Sequence, residues 1–241
     1  MRQRIRGVLT NGPLLTAVVL ATTLTFHALY VLPVTRRFAQ WLLQENLVVE
    51  NITVVTVFTA SVLALLLARR THRDGQPAFV TWFFAVFGLG LFVVAMEEIS
   101  WGQWLFFFET PGSWKAINRQ GETNLHNLDG LWGRSEWMRL VFALGGLLGV
   151  LANRWRRFRP IAVPQAMLGW FVLITLYVAV DAVNDFARGS WFLSTFNPMS
   201  EWIEMLIGLS ALASVVLMRD KARHCSASVA APGESVAHQT A

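Results

Sequence analysis

One cysteine, two tyrosines and a charged fraction of 15% are all that these 241 residues contain of the groups that usually build disulfides, phenolic sites and solvated surfaces. The lone Cys225 excludes an internal disulfide and a cysteine-based metal cage. So few charged side chains cannot cover a soluble domain, where about a quarter of the residues are normally Asp, Glu, Lys or Arg. No repeat at the periods of about 20 to 50 residues that mark solenoids is present. The HExxH zinc signature is also missing, and no second histidine lies close to His126, so a zinc hydrolase of the common kind is unsupported.

What the chain does have is apolar length. Hydrophobic residues make up 54% of it, and an apolar helix of about 20 residues crosses the ~30 Å hydrocarbon layer of a bilayer. Six stretches qualify, at about 14–34, 47–68, 79–96, 138–152, 161–180 and 202–218; the fourth is short and can begin inside the preceding loop. The expected fold is therefore all-α: a polytopic integral membrane protein with a six-transmembrane-helix bundle over residues 1–223. An ordered outer loop over 108–137 and a disordered cytoplasmic tail over 224–241 complete it. The first stretch, about 21 residues long, exceeds the 7 to 15 of a signal-peptide core and reads as an anchor.

The net charge of +5 does not indicate a nucleic-acid partner, because the basic residues are divided among short loops between apolar runs. That division encodes orientation. Thirteen Lys and Arg residues fall on the side of the N-terminus and seven on the other, so both termini are expected in the cytoplasm. The acids are divided the opposite way. Only Asp74, Asp220 and Glu234 lie on the inner side, and the other twelve lie on the outer side.

Helix direction sorts these acids. A carboxylate is stabilised at a helix N-terminus by about 0.3–1 kcal/mol and disfavoured at a C-terminus. Glu45, Glu50, Glu201 and Glu204 sit where helices begin and have that structural explanation, although Glu201 and Glu204, three apart, share a face and can line a site. Glu97, Glu98, Asp181 and Asp185 close the third and fifth spans, where the dipole opposes them. A cation, a shared proton, a basic partner such as Arg139 or Arg188, or interfacial water must stabilise them, and acids inside membrane spans mark function by default. Neighbouring residues on a helix point about 100° apart, so Glu97 and Glu98 are expected to serve different neighbours.

The polar run at 97–103, EEISWGQ, and the amide-rich stretch 118–127 hold the remaining candidates. Glu97, Glu98, Ser100, Gln103, His126 and Asp181 are the expected catalytic residues. Trp101, Trp104, Asn124, Glu201 and Glu204 are the expected walls for a substrate. If residues 120–128 are helical, Asn118, Glu122 and His126 fall on one side. Glu98, Glu122, His126, Asp181 and Asp185 then form a hypothetical oxygen-rich site for a divalent metal cation. The bland alternative is a loop held together by amide hydrogen bonds.

The EEISWGQ run, the following Phe108-Glu109-Thr110-Pro111 and the stretch NRQGETNLHN at 118–127 together resemble a group of uncharacterised bacterial multi-pass membrane proteins. Their acidic Glu-Asp-Gly-x-x-Glu segment corresponds here to Glu45-Asn46-Leu47-Val48-Val49-Glu50, and their Arg after EEISWGQ is replaced by Trp104. The resemblance covers about 45–128, implies location in the bacterial inner (cytoplasmic) membrane, and brings no activity with it. Three functions remain in view. The first is a metal-dependent hydrolase or transferase of a lipid-linked substrate, with Glu98 or Asp181 as base or ligand and His126 as proton carrier. The others are a cation- or proton-coupled transporter and a non-catalytic scaffold or assembly factor.

Overall fold

In the computed structural model, residues 7, 9–44, 47–125, 127–128, 135–186 and 199–229 are described. Among them the structure is all-helical, with one isolated bridge between Asn118 and Leu128 in place of any strand. Six long helices carry the fold: α1 Gly12–Val31, α2 Val48–Arg73, α3 Ala78–Glu98, α4 Ser135–Leu151, α5 Leu168–Phe186 and α6 Ser200–Val229. Four of them, α1, α2, α3 and the Ser200–Arg219 part of α6, are long and apolar enough to cross a membrane, while α5 contributes a shorter apolar stretch, Gln165–Asp181.

The helix boundaries follow local chemistry. Asn11 caps α1 by accepting the Leu14 N–H at 3.1 Å, with Pro13 in the first turn, where its missing N–H costs nothing. At 26 residues, α2 is ~39 Å long and outruns the expected span, ending in Arg70 and Arg73, cations that suit a helix C-terminus. Gly75, with φ of 64°, then turns the chain into α3. The fifth helix differs most from expectation. It starts at Leu168 rather than near 161, because Pro160 and Pro164 divide the approach into short 3-10 turns, Arg156–Ile161 and Gln165–Met167. Its end shifts as well, so Asp181 lies more than a turn inside α5 instead of at its terminus. Helix α6 continues beyond residue 223 into the stretch expected to be disordered, since Ala222 to Val229 offers no Gly or Pro to stop it.

Helix α6 is the axis of the bundle: two thirds of its apolar window is buried, against under a third for α1 and α3. It packs on α2, α5 and α4; α2 in turn packs along α3, α4 along α5, and α1 along α5. Small residues allow these close approaches. A Cβ on Gly208 of α6 would stand 2.7 Å from the Thr56 Oγ1 of α2, and one on Gly146 of α4 would stand 2.2 Å from the Phe171 ring of α5. The ring is fully enclosed and has nowhere to withdraw. Gly146→Ala is therefore expected to lower stability by about 1–3 kcal/mol, whereas Gly145→Ala, with open space beside it, does not. Thermal unfolding of the detergent-solubilised pair checks this.

Hydroxyls inside the bundle are used locally. Thr53 donates to Val49 O at 3.1 Å and Thr56 to Ile52 O at 2.8 Å within α2, Thr175 to Phe171 O at 2.7 Å within α5, and Ser61 crosses to Gly88 O of α3 at 2.7 Å. These bonds satisfy the side chains without water and tie α2 to α3.

Candidate functional site

The chain leaves α3 through three consecutive left-handed residues, Ser100, Trp101 and Gly102, with φ of 47°, 56° and 83°. Only glycine adopts that region at no cost, so two strained residues in succession need partners to hold them. They have them. The Trp101 indole N–H donates to Glu97 Oε1 at 2.6 Å, and the Ser100 hydroxyl donates to Glu122 Oε2 at 2.6 Å.

The loop folds back on this turn and is pinned there side chain by side chain. Glu97 Oε2 accepts the Leu125 N–H at 2.5 Å. Asn124 Nδ2 donates to Ser100 Oγ at 3.0 Å and to Glu122 Oε2 at 2.9 Å, while its Oδ1 accepts from Asn118 Nδ2 at 2.9 Å. Asn118 Oδ1 accepts the N–H groups of Gln120 and Glu122 at 3.0 and 3.1 Å, closing the turn at Gly121, whose φ is 69°. Gln103 joins a second stretch, donating to Thr110 Oγ1 and accepting the Thr123 N–H, both at 2.9 Å. The outcome is the amide-bonded loop. Gly121 and the Asn118 turn interrupt a helix at 120–128, so the spacing of Asn118 and Glu122 does not place them on one helical face, and His126 lies outside the described residues.

A second cluster lies between the helices. Arg139 in α4 approaches Asp181 of α5 (Nη1 to Oδ2, 3.5 Å) and Glu204 of α6 (Nε to Oε1, 3.6 Å), with the Arg139 side chain only 7% exposed. Glu98 interacts electrostatically with Glu204, Glu201 and Glu50 and with Arg139. Five helices thus bring one guanidinium and five carboxylates to the same end of the bundle. Of the two bases offered for Asp181, Arg139 is the partner seen, and Arg188 lies outside the described residues.

The expected site residues therefore divide into two groups. Glu97, Ser100, Gln103, Glu122 and Asn124 converge in the loop, where Ser100 and Asn124 are wholly buried and Glu97 is buried against neutral donors. Glu98, Asp181, Glu201 and Glu204 converge between the helices, and Glu98, Glu201 and Glu204 keep partial exposure there. Glu97 and Glu98 thus turn to different clusters, as their 100° separation requires. Trp101 stands half out of the loop. The side chains of Trp104 and Asp185, and His126 as a whole, lie outside the described residues. Among the described residues no group of three or more His, Cys, Asp or Glu is placed to hold a metal ion. Sequence reasoning missed Thr110 and Thr123, whose only signal was their nearness to other polar residues, and it explained Glu50 by the helix dipole alone.

Fold and site together define, among the described residues, an all-helical protein with four helices long and apolar enough to cross a membrane and a guanidinium–carboxylate cluster at one end. No family model, curated protein or solved structure matches the chain.

Proposed function

We propose that the chain is a six-span protein of the bacterial inner membrane, with both termini cytoplasmic and the acid-bearing end outward. There it is a hydrolase or transferase acting on a lipid-linked substrate at the outer leaflet. The observation that supports this reading is the position of Glu98 and Glu204, partly exposed carboxylates that interact at one end of the bundle; in the proposed orientation that end meets the lipid headgroups. Such a pair equips a site for general acid–base chemistry, with one group taking a proton from the attacking water or hydroxyl and the other giving one to the leaving group. Arg139 and Asp181 are positioning residues that hold the helix ends together, and Trp101 forms a wall for the lipid chain. The divalent metal expected from the sequence at Glu98, Glu122, His126, Asp181 and Asp185 belongs to this proposal as one way of activating water there; Glu122 is bonded to Ser100 and Asp181 lies beside Arg139.

The test compares lipid extracts, by mass spectrometry, from membranes carrying the parent protein, Glu98→Gln or Glu204→Gln. Each amide variant is expected to abolish the lipid change, with a loss of about 10²-fold or more, while eluting from a sizing column as the parent does. A well-folded variant that still alters the lipid as fast as the parent overturns the assignment. Elemental analysis of the same preparations reports on the metal.

A gathering of five carboxylates also favours cation- or proton-coupled transport. Against that stand Thr53, Thr56, Ser61 and Thr175, whose hydroxyls are bonded to backbone carbonyls instead of lining a path. Proton or cation flux into liposomes separates the two. A non-catalytic scaffold or assembly role predicts neither flux nor lipid change.

A further inference from the structure

Residues 104–109 form a closed finger beyond the end of α3. Its base is stapled by the Gln103 amide, which donates to Thr110 Oγ1 at 2.9 Å, and by the Phe107 N–H, which donates to Gln103 O at 2.9 Å. Its tip holds Leu105, Phe106 and Phe107, which are 66%, 77% and 89% exposed, with Phe108 beside them. Phe107 has φ of 53°, a left-handed conformation that a bulky residue adopts only where its surroundings impose it. The staple and the turn therefore present three large apolar side chains outward together. Among the described residues, nothing in the polar loop behind them covers them.

We propose that this finger inserts into the leaflet at the acid-bearing end of the bundle, with the acyl-chain region of the lipid as its occupant. Two observations select lipid over a protein partner. At 21 residues, α3 is ~32 Å long and so delivers the chain to the membrane interface at Glu98. The left-handed residues Ser100, Trp101 and Gly102 then reverse its course, at the depth where aromatic side chains are most at home. The helix that leads into the finger itself turns Trp82, Val86, Leu89 and Val93 outward along one face. Through Gln103, which also accepts the Thr123 N–H, insertion would couple the polar loop to the leaflet. The inference stands whether or not the carboxylate cluster is catalytic.

Because Cys225 is the single cysteine, a Cys225→Ser background permits site-directed spin labelling in vesicles of phosphatidylcholine with a minority of phosphatidylglycerol. A nitroxide on Phe107→Cys is expected to collide with oxygen more than with a water-soluble nickel chelate, matching one on Val93→Cys, while Lys115→Cys shows the reverse. Phe106→Cys repeats the measurement without touching the left-handed position. Labels at 106 and 107 that follow Lys115→Cys overturn the proposal. So do labels shielded from both reagents, which would mean that a protein surface covers the finger.

Discussion

Arg139→Met is expected to destabilise the protein by about 3–5 kcal/mol, the usual cost of removing one partner from a buried ion pair. The charge left behind is the reason. Asp181 is enclosed almost as fully as Arg139 itself, so it cannot recover its hydration when the guanidinium goes, and Glu204, with its side chain 20% exposed, recovers only part. The separations of 3.5 and 3.6 Å are long for direct hydrogen bonds, which makes charge compensation, rather than hydrogen-bond geometry, the main contribution. A triple variant, Arg139→Met with Asp181→Asn and Glu204→Gln, should recover much of the loss, because amides tolerate burial far better than carboxylates. Thermal unfolding in detergent is the measurement. A single variant as stable as the parent, or a triple variant worse than the single, would refute this account.

The second large effect is expected at Asn124, whose Leu variant keeps the side-chain size and removes three hydrogen bonds. Asn124 is 1% exposed and its side chain bonds Ser100, Glu122 and Asn118 together. Losing the donor to the half-buried Glu122 carboxylate, with the two bonds to neutral groups, amounts to about 2–4 kcal/mol. That is enough to detach the loop while the helices remain folded. Trypsin should then cut after the exposed Arg119 far faster than in the parent, and the amide hydrogens of Thr123 and Leu125, now bonded to Gln103 and Glu97, should exchange sooner. Asn127→Ala, which gives up the bond from Asn127 to Gln120 at the surface, serves as the mild control. Unchanged cleavage and exchange in Asn124→Leu would show that the loop is held by something else.

How much of this was legible beforehand depends on the distance over which each feature is decided. Hydropathy sums over about 20 residues, so the helices stand near the stretches expected for them, and even the early start of the fourth was visible. Helix ends depend on one or two residues, and the pair Pro160 and Pro164 displaced the fifth by about two turns. The loop was harder. Glu97 reaches the Leu125 N–H and Ser100 reaches Glu122 only because three left-handed residues reverse the chain between them, and no periodicity reports such a turn. Spacing suggested a helix at 120–128, and Gly121 with the Asn118 turn prevailed.

By itself the amino-acid sequence determined that apolar helices of membrane-crossing length exist, and that acids collect at the ends of several of them, because composition and order along one helix decide both. Only the tertiary structure decided which acid serves which neighbour. It separated Glu97, which accepts from the Trp101 indole and the Leu125 N–H, from Glu98, which interacts with Arg139 and the carboxylates of α2 and α6. The physical reason is that electrostatic and hydrogen-bond partners here come from different helices and distant loop positions, and their meeting depends on packing at Gly208 and Gly146 and on backbone turns that one-dimensional order leaves open.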